Sequence, residues 1–163
     1  MTHHEAPLWP VWQKLPGSGT FLPTMANDIN ITVSERFGRQ CASSGSKWEA
    51  LLGYSRAVRS GNTIAVTGCV GVNADGSYSP ELEQQARRSL QIIKAAIEAL
   101  GGTMEQVIRT RMYVTDVSKW QEVAKAHGEV FAEIRPATTI VEVPRLIDSQ
   151  AMIEIEADAI VTL

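Results

Sequence analysis

Cysteine is scarce in this chain. Its 163 residues hold two, Cys41 and Cys69, which offer neither a disulfide framework nor thiolate spacing for a metal. Histidine is almost as rare: His3, His4 and His127 have no ligand spacing to cysteines or carboxylates, so no metal is expected. No stretch approaches the ~18 consecutive apolar residues of a membrane span, and the N-terminus lacks the apolar core of a secretory signal. An excess of positive charge is also missing. Fifteen Lys and Arg stand against eighteen Asp and Glu, giving a net charge of −3 and a pI near 5.6, without general attraction for phosphate backbones or anionic lipid. Neither nucleic acid nor a membrane is therefore an expected partner. There is no Gly-rich phosphate loop, since Gly68 and Gly71 are too sparse, and no visible Ser-His-Asp pattern. A reducing cytoplasm fits these features.

What is present is ordinary for a globular protein: 44% hydrophobic and 20% charged residues, in a length that suits one domain with its own core. Residues 1–45 differ from the rest. PLWPVWQKLPGSGTFLP contains four prolines and two glycines with no persistent period. An N-terminal arm is expected there, anchored by Trp9, Trp12 and Phe21, ahead of a domain at 46–163. Met25, opening MANDINITVSERF, is a second candidate start.

Beyond residue 53 the pattern sharpens. YSRAVRSGNTIAVTGCV predicts two short strands around Ser60-Gly61-Asn62, whose Gly and Asn tolerate the positive φ of hairpin turns. SPELEQQARRSLQIIKAAIEALGG predicts a helix with Ser79 as cap, Pro80 in the first turn and Gly101 at the stop. Its Leu82, Ala86, Leu90, Ile93, Ile97 and Leu100 form one apolar stripe. VIRTRMYV at 107–114 alternates, with Ile108, Thr110, Met112 and Val114 on one face and Arg109, Arg111 and Tyr113 on the other. Asp116 caps a second helix whose apolar side carries Trp120, Val123, His127, Phe131 and Ile134, and Pro136 ends it. Gly128 inside that helix suggests a close backbone approach. Strands at 137–143 and 152–161 complete ββαβαββ, an α+β two-layer sandwich with both helices on one face of a mixed sheet. In MIEIEADAIV, Glu154, Glu156 and Asp158 share the opposite face, which is either solvated or an oligomer interface.

Several of these segments, taken together, resemble one family. GYSRAVRSGNTIAVTGCVG, EQQARRSL, RTRMYVTDVSKW and RPATTIVEVPRL followed by IEIEADAIV are similar, in order, to the reactive intermediate deaminase (Rid, or YjgF; endoribonuclease L-PSP-like) family. The resemblance implies a chorismate-mutase-like α+β subunit, a homotrimer, and ligand clefts between subunits. It also implies cofactor-free hydrolysis of enamines and imines released by pyridoxal-phosphate enzymes. In the archetype, an arginine directly after the Pro-Ala of the penultimate strand grips the substrate carboxylate, near the first glutamate of IEIEA. That glutamate corresponds to Glu154, but Thr138 stands where the arginine would be, and a hydroxyl cannot supply a bidentate charged fork. Arg145 matches a different arginine of the family.

The candidate residues carry competing readings. Arg109 and Arg111 are either partners in cross-strand ion pairs with Glu154 and Glu156, or, in the case of Arg111, a substitute anion anchor. Tyr54, in Gly53-Tyr54-Ser55, either lines the cleft, as the resemblance implies, or packs with its phenol at the rim. Thr67-Gly68-Cys69 forms a turn that the resemblance places beside the cleft, and Cys69 is either a nucleophile, if a cation lowers its pKa, or an inert buried thiol. His127 reads as a satisfied, half-buried histidine. The functional expectation is a homotrimer that hydrolyses a small imine or enamine, with Glu154 positioning water, Tyr54 and Thr67 to Cys69 shaping the pocket and Thr138 hydrogen-bonding the substrate. The alternative is a non-catalytic trimer that binds a metabolite in the same clefts.

Overall fold

A computed structural model describes residues 28–162. The expected anchors Trp9, Trp12 and Phe21 lie outside the described residues. Seven strands form one mixed sheet in the order β1-β2-β3-β4-β7-β5-β6. In chain order these are β1 (Thr32–Arg36), β2 (Arg39–Ser43), β3 (Ala57–Ser60), β4 (Thr63–Val70), β5 (Val107–Val114), β6 (Ala137–Glu142) and β7 (Ile153–Ile160). The helices are α1 (Lys47–Leu52), α2 (Leu82–Ala99) and α3 (Trp120–Phe131). Strands β3 to β7 with α2 and α3 reproduce the expected ββαβαββ order. All pairings are antiparallel except β5 with β6, which run parallel on either side of the α3 crossover.

Part of the segment expected to be an arm belongs to the sheet. β1 and β2 form a hairpin that pairs through β2 onto β3. The two residues between these strands, Phe37 and Gly38, both have positive φ, 52° and 70°, as a tight turn of the hand that suits twisted strands requires. Every residue of β1 is exposed. β1 is held by backbone pairing rather than by an apolar face, and β2 buries only the consecutive Cys41 and Ala42, so the hairpin leaves no period to read.

The core lies between the sheet and α2 and α3. The predicted stripe of α2, Leu82, Ala86, Leu90, Ile93, Ile97 and Leu100, is buried throughout, and it meets Ile153, Ile155, Ala157 and Ala159 of β7. Burying these side chains supplies roughly 1.5–3 kcal/mol for each of the larger ones. The helix opens two residues later than the cap prediction: Glu81 takes the N-cap position, and Ser79 Oγ accepts the Glu81 amide at 3.2 Å. Gly101 follows the last turn with φ of 77°, where a Cβ would be strained. Gln85, 1% exposed, is tolerated among the apolar groups because its amide is fully used. It donates to Ser79 O and Gln150 O, each at 2.9 Å, and accepts the Met152 amide at 2.8 Å, tying α2 to the entry of β7.

Two bulges shift the alternation that a strict period of two predicts. In β5 the register slips between Val107 and Arg109, so Val107 and Thr110 are buried while Ile108, expected inside, is 51% exposed. In β4 it slips between Val66 and Cys69, leaving Thr67 and Gly68 opposite Glu156 alone. Gly128 also departs from its expected role, because a Cβ there would meet nothing within 4 Å. Gly128→Ala is accordingly expected to stabilise the protein by about 1 kcal/mol, the helix-interior difference between the two residues, read as a rise in the urea midpoint.

Candidate functional site

The carboxylate stripe of β7 faces away from the helices and lies against β5. The register sets Tyr113 opposite Glu154, Arg111 opposite Glu156 and Arg109 opposite Asp158. Arg111 is engaged by this stripe: Nη1 is 3.3 Å from Glu156 Oε2 and Nη2 is 3.2 Å from Asp158 Oδ2. Tyr113 donates its hydroxyl to Glu156 at 3.5 Å. Of the cross-strand ion pairs in the first reading only Arg111 with Glu156 forms, joined by Arg111 with Asp158, while Arg109 and Glu154 form none among the described residues; the two pairs are about a third exposed and worth about 0.2–1 kcal/mol each. Glu154 differs from its two neighbours on the stripe. Among the described residues it has no ion-pair partner, and burial together with the nearby Glu156 holds its carboxyl above the usual range, opposed by Arg56.

Glu154 borders a cleft of about 680 Å³ that also brings together Tyr54, Arg56, Thr67, Gly68 and Cys69. The β4 bulge is what admits the carboxyl. A Cβ at position 68 would stand 1.9 Å from Glu154 Oε1 and 2.7 Å from its Cδ, so only glycine leaves room for this side chain to lie across the strand. Thr67 is held by its own contacts, its amide donating to Arg56 O at 3.0 Å and its hydroxyl to Ser55 O at 2.8 Å.

Arg56, not among the candidate residues, is the buried cation of this cleft. It is 7% exposed. Its Nη1 donates to Gly68 O at 2.7 Å and to Cys69 Sγ at 3.4 Å, Nη2 to Tyr54 OH at 3.0 Å, and Nε to Ser44 Oγ at 3.4 Å. Glu49 Oε1 lies 3.9 Å from Nε and is itself engaged by Ser43 and Ser44. Four of the five guanidinium N–H bonds thus have partners, and the fifth, on Nη2, is left over. Tyr54 OH accepts from Arg56, which frees its own hydrogen to donate elsewhere. A signal for this pair exists in the sequence: Tyr54 and Arg56 are two residues apart and therefore share a side of an extended segment.

Cys69 is 1% exposed. Burial pushes its thiol up more than Arg56 pulls it down, and Sγ donates to Thr67 O at 3.2 Å. That is the environment of a neutral thiol rather than of an activated thiolate.

Within one chain, Arg111 and Thr138 do not join this cleft. Thr138 pairs with Thr110 across β5 and β6, and its hydroxyl lies in a polar chain. Thr138 Oγ1 donates to Pro136 O at 3.1 Å and is 2.9 Å from Thr110 Oγ1, which is 3.0 Å from His127 Nε2. Since Thr138 spends its hydrogen on Pro136, Thr110 donates to Thr138 and His127 Nε2 donates to Thr110. The half-buried His127, its pKa lowered by burial and its ring 4.5 Å from Phe131, is thereby satisfied as a neutral ring. In this arrangement the exposed Thr138 offers a ligand only an acceptor, which suits an N–H and not a carboxylate. Among the described residues no group of three His, Cys, Asp or Glu could hold a metal ion, and no helix is long and apolar enough to cross a membrane.

Comparison with known proteins gives concordant results. The family model described as Endoribonuclease L-PSP matches residues 45–161. A 2-iminobutanoate/2-iminopropanoate deaminase of Escherichia coli is 34% identical over 111 residues, 66% of this chain and 86% of the relative. An uncharacterized protein of Streptomyces coelicolor is 33% identical over 117 residues, 71% of this chain and 87% of the relative. Among solved structures, a member of the YjgF/YER057c/UK114 family from Mycobacterium tuberculosis superposes with a TM-score of 0.71 at 44% identity, covering 76% of this chain and 99% of that one. The E. coli YjgF product superposes with a TM-score of 0.62 at 34% identity, covering 66% and 87%.

Proposed function

The chain belongs to the Endoribonuclease L-PSP (YjgF/Rid) family, and from that premise we propose that it hydrolyses a small imine or enamine-type metabolite in clefts between the subunits of a homotrimer. Relatives that include a 2-iminobutanoate/2-iminopropanoate deaminase support imine deamination at the level of the family. The observation that carries the reading to this chain is the position of Glu154: a carboxyl without an ion pair, half-buried, laid over Gly68 and facing the cleft that holds Arg56.

The chemistry follows from these groups. Glu154 takes a proton from water as the water oxygen attacks the carbon of the protonated imine, giving a neutral carbinolamine. It returns that proton to nitrogen and takes the carbinolamine hydroxyl proton as the C–N bond breaks, so ammonia leaves with a carbonyl product and carries the proton away as ammonium. The substrate's negative end is met by the free hydrogen of Tyr54 and the remaining Nη2 hydrogen of Arg56, whose charge is strengthened by its dry surroundings. Arg56 thus supplies, from the residue before β3, the cation that Thr138 does not. Thr67, Gly68 and Cys69 shape the floor, and Thr138 meets an N–H of the ligand from a neighbouring subunit. Arg111, committed to Glu156 and Asp158, serves the sheet rather than the substrate.

The test is hydrolysis of 2-aminoacrylate or 2-iminopropanoate, with the oligomer measured by sedimentation. Turnover above buffer from a trimer is expected. Ligand binding without turnover would leave a non-catalytic metabolite-binding trimer as the better reading. Gly68→Ala is a sharper check on the same site, because its methyl group must displace the Glu154 carboxylate. A shift of about 1 Å in such a group is expected to lower kcat about 10²-fold. The melting temperature should move little, because the displaced atoms, Oε1, Cδ and Cγ, all belong to one flexible side chain and none to the backbone.

A further inference from the structure

The edge of the sheet formed by β1 is regular and open. Its five residues pair with β2 in unbroken register, from Thr32 opposite Ser43 to Arg36 opposite Arg39. β1 is the first strand of the sheet and has no neighbour on its other side among the described residues. Every one of its residues is exposed. Sheet edges that stay alone are ordinarily blunted by a proline, a bulge or a covering segment. The sequence TVSER has no proline, and the pairing shows no bulge. β1 and β2 also precede residues 45–161, the part matched by the family model, so this edge lies outside the matched domain.

The turn at the end of the strand runs against local preference. Phe37 takes φ of 52°, a region that Asn, Asp or Gly enters far more readily than a bulky ring, and it is 93% exposed. Val33, on the strand itself, is 45% exposed. Neither side chain gains burial within a single subunit.

Hydrogen-bond parity decides what the edge can take. In a two-residue hairpin the residues flanking the turn, here Arg36 and Arg39, form a hydrogen-bonded pair, and pairs of that kind alternate along the ladder. Thr32, Ser34 and Arg36 therefore spend their amides and carbonyls on β2, while Val33 and Glu35 turn theirs outward. A second β1, antiparallel about a two-fold axis at Ser34, sets Val33 opposite the partner subunit's Glu35 and Glu35 opposite the partner subunit's Val33. Every outward amide of both strands then finds a carbonyl. Arg36 meets the partner subunit's Thr32, so no like charges face each other. The next register of the same parity towards the turn would set Glu35 against the partner subunit's Glu35, a repulsive pair. The favoured register also brings Phe37 to Ile31 of the partner subunit, an aromatic–β-branched pair of the kind that stabilises sheets.

We infer that β1 is a self-complementary interface: two copies of this chain pair edge to edge through Thr32–Arg36, join their sheets into one, and cover each other's Phe37. The contact is isologous and two-fold. It is separate from the three-fold clefts and independent of imine hydrolysis. Five residues a side make a small interface, so the paired form is expected to build up with protein concentration.

Sedimentation equilibrium of the full chain, from micromolar to near-millimolar concentration, tests the pairing. The expected result is a reversible rise in particle mass to twice that of the smaller form. Phe37→Asn suits the turn and keeps the hairpin, and it is expected to weaken the doubling about tenfold because two aromatic–β-branched pairs are lost. Val33→Glu sets like charges opposite each other on both sides of the axis and is expected to abolish the doubling. Adding Glu35→Lys to Val33→Glu makes those pairs attractive in this register alone and is expected to bring the doubling back. Neither Val33 nor Phe37 lines the Glu154 cleft, so any hydrolysis is expected to be unchanged in these variants. Pairing of β1 with β6 of another copy would be head-to-tail and would give rings or filaments instead of a doubled mass. Cover of the edge by residues 1–27 of the same chain would leave the mass fixed at every concentration. Either of those results overturns the inference, as does a doubling that Val33→Glu leaves intact or that Glu35→Lys fails to restore.

Discussion

Glu154→Gln is expected to lower imine hydrolysis by about 10²- to 10⁴-fold, the usual contribution of a positioned proton acceptor, without loss of fold. Gln keeps the shape that lies over Gly68 and removes the basic oxygen. The pH dependence has a defined sign. Burial and Glu156 raise the Glu154 pKa above its ordinary 4.5, and only the ionised form can take a proton from water. Activity should therefore fall as pH drops through a value above 4.5, and Glu154→Gln should lack that limb. Stability runs the other way. A carboxyl whose pKa is higher folded than unfolded binds more protons in the native state, so stability is lost as pH rises from 4.5 through the raised value. Above that window Glu154→Gln should melt at a higher temperature than the parent protein, the trade between stability and activity expected at a site held under electrostatic strain. A substitution that left hydrolysis within a few-fold of the parent would remove Glu154 from the mechanism.

Gly71→Ala is expected to be the most damaging of the glycine substitutions for stability. Gly71 follows β4 directly beneath α2, and a Cβ there would stand 2.3 Å from Gln85 O, 2.5 Å from its Cα and 2.7 Å from its carbonyl carbon. These are backbone atoms in the first turn of a packed helix, so no rotamer change relieves the clash. The helix must lift from the sheet, loosening Leu82, Ala86 and Leu90 and the contacts by which Gln85 ties α2 to β7. Overpacking of this kind costs about 3 kcal/mol, the upper part of its usual range, corresponding to a melting temperature lower by ~6–12 °C in a chain of this length. Calorimetry of Gly71→Ala beside Gly128→Ala gives opposite signs if close approach, rather than glycine content, decides these positions.

Legibility in the sequence followed the range of the forces involved. The α2 stripe and the β7 alternation were readable because one buried face imposes a period on consecutive residues, and Ile153, Ile155, Ala157 and Ala159 are all fully buried as that period requires. The β1–β2 hairpin was not, because its exposed strand is held by backbone bonds and a positive-φ turn that impose little on side-chain polarity. Ile108 lies on the face opposite to the one a strict alternation predicts because one extra residue in β5 reverses parity. Among the candidate residues, Tyr54, Thr67, Gly68, Cys69 and Glu154 do converge, on motifs that the family resemblance singled out. Arg56 carries no such signal, because a charged residue just before a short strand ordinarily faces water. Its burial depends on Ser44, Gly68 O, Cys69 and Tyr54 closing around it from separate parts of the chain.

The amino-acid order alone was enough for the two-layer α+β plan, the family and the carboxylate stripe, since each is a local pattern or an ordered set of short motifs. Only the tertiary structure separated the three carboxylates of that stripe, pairing Glu156 and Asp158 with Arg111 and leaving Glu154 beside Arg56. The β5–β7 register and the β4 bulge make that distinction, and both arise from contacts between segments far apart in the sequence, 45 residues in the case of Arg111 and Glu156, which no local period records.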